Sequence, residues 1–475
     1  MPRATCCSNG SARAIVPDRH IFDTSVLREY DIRGVWSETL RAPDAYALGR
    51  SFATRVHRAG GNRVAVGRDG RLSSLELETA LVAGLVDGGI AVQRIGLVPT
   101  PLLYYAVASA PEVHGGIEIT GSHNPKDHNG FKMDLGGQPF FGDDILDLGR
   151  IAAAGDWIGG RGTVEDVDLS EAYIARIVQA LDGIDPAHMA SMRIGWDAGN
   201  GAAGPLIERL VRRVPGHHVL FYTSVDGHFP NHHPDPSEAE NLRDLVDAVA
   251  RGKIDFGFAF DGDGDRIGVV DGRGRVLWGD QILMILAQDL LARRPGALIM
   301  ADVKCSQTLF DTIAAQGGRA LMAPTGHSLI KSGMKQSGAV LAGEMTGHVF
   351  CADDYYGYDD ALYAALRLLA ASARLGKSLT ELRDAMPETH VTPDMRFAVP
   401  GIDPFAAIAR LIAGLHAENV PFNATDGARV TTPDGWWLLR ASNTQALLTA
   451  RAESRSAAGL MRVLGDLNSW LARIA

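Results

Sequence analysis

The sequence predicts an α/β protein of several domains, from a repeated structural unit, the chain length and an ordinary globular composition. The unit is an apolar strand, a loop bearing Asp, a helix and a glycine stop. Val64-Ala65-Val66 leads through Gly67-Arg68-Asp69 into residues 75–82, which have helical spacing, and stops at Gly88-Gly89. Ile194-Gly195-Trp196-Asp197 leads through glycines into a helix over 205–211. Residues 298–302 lead into a helix over 308–313, which stops at Gly317-Gly318. A further helix is expected over 241–250, with Ser237 and Glu240 as its capping box. The segment Gly435-Trp436-Trp437-Leu438-Leu439 reads as a strand near the end. A chain of 475 residues exceeds what one core serves, so the units belong to separate domains.

With 46% hydrophobic and 21% charged residues, the chain belongs with soluble globular proteins. Its 46 basic and 56 acidic residues give a net charge of −10, which argues against nucleic acid or an anionic membrane as partner. A small anion is not excluded, because it responds to local potential. Cys6, Cys7, Cys305 and Cys351 have neither metal-ligand spacing nor a pairing framework, so free thiols in a reducing cytoplasm are expected. No apolar run approaches the ~18 residues of a membrane span. The first ~20 residues lack the apolar core of a signal peptide and read as a flexible extension.

Chemistry concentrates in two loops. Thr120-Gly121-Ser122-His123-Asn124-Pro125 leaves the apolar run 116–119, so Ser122 projects from a stiff turn bounded by Gly121 and Pro125. A serine hydroxyl is a poor nucleophile and needs a base, a metal or an attached group. By itself the turn reads equally as Ser and Asn capping backbone groups. The second loop, Asp261-Gly262-Asp263-Gly264-Asp265-Arg266, alternates carboxylates with glycines, so its oxygens converge. Three like charges need a cation, and oxygen-only ligands suit Mg²⁺. An EF-hand fails, because Arg266 and Gly272 stand where glycine and a bidentate Glu are required. The flanking apolar segments are strand-like rather than helical.

Three more segments complete a pattern. Tyr30-Asp31-Ile32-Arg33-Gly34 lies near the start, Gly343-Glu344-Met345-Thr346-Gly347-His348 in the third quarter, and Arg440-Ala441-Ser442-Asn443-Thr444 near the end. With the serine loop, its continuation Asn129-Gly130-Phe131-Lys132 and the acidic loop, these five motifs resemble, in order, those of the α-D-phosphohexomutases. Within that family they are most similar to its bacterial mannose- and glucose-phosphate branch. The resemblance runs from about residue 25 to the end. It implies three related α/β domains with mixed sheets and a C-terminal α+β domain around a central cleft. The domains are expected at 1–167, 168–275, 276–387 and 388–475.

The resemblance also implies the reaction. Phosphorylated Ser122 donates to one hydroxyl of a hexose phosphate, the resulting hexose 1,6-bisphosphate turns over in the cleft, and its other phosphate returns to Ser122. Asp261, Asp263, Asp265 and a phosphoserine oxygen are the expected ligands of Mg²⁺. His123 and Asn124 orient the serine loop, while Lys132 and Arg33 position the phosphoryl group and assist proton movement. Tyr30 and Arg266 lie near the substrate. Glu344 and Thr346 read sugar hydroxyls, and His348 and His327 are acid/base candidates. Lys304 reaches the sugar or a phosphate, and Arg440, Ser442, Asn443 and Thr444 hold the phosphate not being transferred. A hexose phosphate is the expected partner, with the bisphosphate as activator and a monomer or weak homodimer as assembly.

The amino-sugar relative, phosphoglucosamine mutase, typically has Gln where Met345 stands. An aspartyl-phosphate phosphatase would use Asp261 and Asp263, but usually has Thr or Val where Asp265 and Arg266 follow. A silent sugar-phosphate sensor would be expected to lose Ser122 or an aspartate.

Overall fold

The computed structural model describes residues 18–442 and 447–474. The N-terminal extension, Cys6, Cys7, Asn443 and Thr444 therefore lie outside the described residues. The described residues form four sheets, and the first three repeat one wiring. In each, a central strand pairs in parallel with a strand on either side, and an antiparallel hairpin partner closes one flank.

In the first sheet Arg63–Arg68 is central, with Ala91–Leu97 and Gly115–Ile119 beside it and His128–Leu135 returning antiparallel. Ile32–Val35, Val164–Asp166 and Gln138–Pro139 extend it. In the second, Arg193–Asp197 lies between His217–Phe221 and Phe256–Phe260, and Ile267–Val270 returns. In the third, Leu298–Asp302 lies between Arg319–Ala323 and Leu341–Gly343, and Val349–Cys351 returns. The repeated unit of the sequence thus supplies each central strand. The serine loop, acidic loop and Glu344–His348 turn each join the third strand of a unit to its return strand. They occupy one topological position, at the carboxyl end of a parallel strand, where open α/β sheets place ligands.

The fourth sheet is antiparallel, ordered His390–Val391, Leu448–Ser454, Gly435–Ala441, Ala428–Thr432, Phe422–Asn423, with Met395–Phe397 also on Leu448–Ser454. Helices Pro404–Ala417 and Ala457–Ile474 pack on it around Trp437, Leu411 and Leu467. The strand Gly435–Ala441 extends past Leu439, so Arg440 stands on the ladder rather than in the loop beyond. One apolar cluster, including Leu103, Tyr173, Trp196, Leu286 and Leu366, runs through the first three units. The fourth meets the third over a small one, Val303, Met322, Trp436 and Leu438.

The capping box fails. Asp235 Oδ1 accepts both the amide (3.0 Å) and hydroxyl (2.6 Å) of Ser237. The chain then passes through a 3₁₀ turn, Ala239–Leu242, before the helix Arg243–Ala250. A carboxylate two residues upstream outcompeted the helix amide for the serine.

Candidate active site

The serine loop is held from behind. Ser122 is buried and left-handed, φ 48°, a strained conformation for a non-glycine residue that clusters at functional sites. Its amide donates to Thr120 Oγ1 at 2.8 Å. Arg71, which the sequence analysis missed, clamps the turn: its guanidinium donates to the carbonyls of Ser122 (2.7 Å), Asn124 (2.6 Å), Pro125 (2.6 Å) and His128 (2.9 Å). Asp69, 3.3 Å from Arg71 Nε, also accepts from the Gly121 amide. The Asp-bearing loop noted at Gly67-Arg68-Asp69 was the available signal. Arg71→Ala strands four carbonyls and a buried carboxylate, so we expect about 3–5 kcal/mol of lost stability. A smaller drop in a denaturant titration, with the serine loop's activity intact, would contradict the clamp.

The acidic loop meets this turn directly. Ser122 Oγ donates to Asp261 Oδ2 at 2.8 Å and lies 3.1 Å from His123 Nδ1. Gly262 has to be glycine, since a Cβ there would sit 2.4 Å from the Ser122 carbonyl. Thr100, a second missed residue, ties the two units through its hydroxyl on Asp263 Oδ2 (2.5 Å) and its amide on the Asp263 carbonyl (2.9 Å).

Asp261, Asp263 and Asp265 are fully buried, and each offers an oxygen within 4.8 Å of the others. Oδ1 of Asp263 and Oδ1 of Asp265 have no hydrogen-bond partner. Burial, and then Asp263 and the other neighbouring carboxylate, push the Asp261 carboxyl well above its usual range. Burial and Asp263 also raise Asp265. Lys132 sits against the cluster, 2.7 Å from Asp263 and bonded to Asp265. Against its own desolvation, these carboxylates keep the ammonium charged above its ordinary range. Spare buried oxygens, mutual repulsion and oxygen-only donors fit a hard divalent cation.

The remaining side chains surround a cleft of about 490 Å³ lined from all four units. Arg33 bridges Asp31 (2.5 Å) and Asn124 Oδ1 (2.7 Å). Tyr30 reaches across to the Thr325 carbonyl at 2.9 Å. Arg266 Nε donates to His348 Nε2 at 2.9 Å, and His348 Nδ1 lies 2.9 Å from Asp359 Oδ2. His327 stacks on His348 with centroids 5.5 Å apart. Burial, and then Lys331, hold His327 well below the usual imidazole range, so it is neutral at pH 7. His123 is likewise held well below it, by burial and then Arg266. Glu344 accepts the Gly326 amide, and its Oε2 lies 3.5 Å from Thr346 Oγ1. Arg440 pairs with Asp426 at 2.8 Å, and Ser442 stands beside it on the cleft wall.

Of the described candidates, Lys304 alone is not among the cleft-lining residues and is not in the carboxylate cluster; its ammonium pairs with Asp394 at 3.1 Å. Met345 is also turned away, packing against the shared core while its amide donates to Asp302. Asp359, buried between Lys331 and His348, is a further residue that no motif announced.

A buried serine on a carboxylate cluster, facing a cationic cleft, defines a phosphoryl-transfer enzyme of multidomain α/β type. The chain matches all four domains described for phosphoglucomutase/phosphomannomutase: domain I over residues 24–156, II over 171–274, III over 278–390 and the C-terminal domain over 395–468. It is 42% identical over 450 residues to a phosphomannomutase/phosphoglucomutase of Pseudomonas putida, covering 95% of this chain and 96% of that one. A phosphoglucomutase of Neisseria gonorrhoeae is 42% identical over 443 residues, covering 92% and 95%. A crystal structure of a phosphoglucomutase/phosphomannomutase family protein from Burkholderia thailandensis superposes with a TM-score of 0.89 at 40% identity, covering 96% and 98%. The chain belongs to the phosphoglucomutase/phosphomannomutase family and is an intramolecular phosphotransferase. Among the described residues no helix is long and apolar enough to cross a membrane.

Proposed function

We propose that the chain interconverts the 1- and 6-phosphates of mannose and glucose through phosphorylated Ser122 and a hexose 1,6-bisphosphate, with Mg²⁺ as its metal. The observation that carries this reading is Ser122 Oγ lying 2.8 Å from Asp261 of the buried acidic cluster, in a cleft that Arg440 and Ser442 of the fourth unit also line. Phosphorylated Ser122 would be the transferable group and Arg440 with Ser442 the anion site, as required when either end of a sugar must be presented in turn.

Asp261, Asp263 and Asp265 would hold Mg²⁺ beside a phosphoserine oxygen, where the bound ion offsets charge on the transferring phosphoryl group. Arg33, fixed by Asp31 and Asn124, faces that group with Lys132. Neutral His123 orients Ser122 Oγ and can donate its Nδ1–H to that oxygen, whose own proton goes to Asp261. Glu344, with Thr346, presents hydrogen-bonding groups to sugar hydroxyls, and neutral His327 stands with His348 to take or give a proton there. By the motif alone, Asn443 and Thr444 would add donors for the distal phosphate. A hexose phosphate is the partner, the bisphosphate primes Ser122, and a monomer or weak homodimer in the cytoplasm is the setting.

Assays with glucose 1-phosphate, mannose 1-phosphate and glucosamine 1-phosphate, each with Mg²⁺ and a trace of its bisphosphate, test this reading. We expect turnover of the first two and at least about tenfold weaker use of the third, the discrimination one misplaced polar group gives. Absence of turnover on both neutral sugars would refute it.

A further inference from the structure

We infer that Arg396 is a second guanidinium of the distal phosphate site, holding the substrate's phosphate and retaining the bisphosphate while it turns over. The inference deepens the proposed mutase reading and rests on it.

Sheet register supplies the geometry. Arg396 on Met395–Phe397 pairs with Thr449 on Leu448–Ser454, and Thr449 pairs on its other side with Arg440 on Gly435–Ala441. Residues directly opposite on neighbouring antiparallel strands project from the same face. Arg396, Thr449 and Arg440 therefore form one rung, with the two arginines about 10 Å apart at the spacing of neighbouring strands. Both line the cleft, and an Arg440 guanidinium nitrogen lies 3.5 Å from Thr449 Oγ1.

Charge separates the two. Arg440 is already paired with Asp426, whose carboxylate also accepts the Thr325 amide at 3.1 Å. Arg396 is exposed and has no ion pair among the described residues. The nearest carboxylate along its own strand segment, Asp394, is engaged by Lys304. Lys304 thereby takes the direct ion pair of Asp394, which Arg396 meets only through space, and this gives Lys304 a place outside the cleft.

The cleft as a whole has the same surplus. Arg28, Arg266 and Arg396 line it with no ion pair among the described residues, whereas Lys132, Arg440 and Arg33 are paired with Asp263 and Asp265, Asp426 and Asp31. Asp31 is spent on Arg33, and Glu344 accepts a backbone amide. A single phosphomonoester, about −1.5 to −2 at neutral pH, leaves this field undersaturated, whereas a bisphosphate matches it. Two guanidiniums on one rung let a phosphate shift its hold without leaving the site, which a molecule exchanging its ends requires.

The test is steady-state kinetics of Arg396→Ala and Arg396→Lys, with bisphosphate released per turnover measured in parallel. Arg396→Ala should raise KM for hexose 1-phosphate about tenfold, the loss of one charge-assisted hydrogen bond. Bisphosphate escape should rise several-fold, while kcat at saturating substrate and bisphosphate changes little. Arg396→Lys should recover part of both effects, and the dependence of KM on ionic strength should flatten in the alanine variant. Because Arg396 is exposed, its melting temperature serves as a folding control. Unchanged KM and unchanged escape in Arg396→Ala, with an active wild type, would overturn this inference and leave the mutase reading standing. An inactive wild type would overturn both.

Discussion

Ser122→Ala is expected to lower sustained turnover by at least about four orders of magnitude, the scale set by removing a nucleophile that acts with its neighbours. Hexose phosphate affinity should persist, because the groups that face the sugar and the distal phosphate do not depend on this hydroxyl. Ser122 Oγ touches Asp261 and His123, and its removal leaves the turn held by Arg71 and Thr120. Alanine tolerates φ 48° no worse than serine, so the fold should survive with a similar melting temperature. The measurement is kcat with a trace of bisphosphate, alongside calorimetric binding of hexose 6-phosphate. Wild-type turnover in the variant would exclude Ser122 as the phosphate carrier. Lost binding with lost turnover would instead make it a structural residue.

How much of this was legible beforehand divides along physical lines. The serine and acidic loops could be read because their residues are unusual for strand exits: glycines beside hydroxyls and carboxylates have few uses other than bringing polar atoms together. The repeated strand–loop–helix unit was legible from periodicity. Its sheet order was not, so the equivalence of the three site loops emerged only from pairing.

Arg71 and Thr100 escaped because their partners lie 51 to 163 residues away, and a lone arginine or threonine after a loop resembles a solvated one. Asp359, whose partner Lys331 is only 28 residues away, escaped because it lies outside every motif. Lys304 and Met345 lie in or next to motif segments but turn from the cleft, one toward Asp394 and the other into the core. A motif fixes which residues are adjacent in the chain, whereas neighbouring carboxylates and apolar surface decide which way each side chain goes. Ser237 gives the same lesson on a helix cap.

The acidic cluster predicts that two substitutions alike in sequence will part company. Asp261→Asn and Asp263→Asn should each raise the Mg²⁺ concentration for half-saturation at least about tenfold, since each removes an anionic ligand. Activity should fall about 10²–10³-fold, as when one stabilising group is taken from a developing charge. In Asp263→Asn the amide nitrogen cannot face Thr100 and Lys132, which both donate to Oδ2, so it must turn toward the position of the unpartnered Oδ1.

Without metal the two variants should diverge. Asp261, buried beside two other carboxylates, has its pKa raised on folding; its ionised form therefore opposes folding, and loses stability as pH rises above the unfolded value. Asp263 is shifted the other way: although burial opposes ionisation, Lys132 holds its carboxyl below the usual range, so its charge supports folding at neutral pH and the support is lost on acidification. In EDTA at pH 7, Asp261→Asn should therefore melt above Asp263→Asn. Thermal scans with and without chelator decide it. Equal melting temperatures in EDTA would mean that Lys132 does not distinguish the carboxylates, and an unchanged Mg²⁺ titration in both variants would remove the ion from this loop altogether.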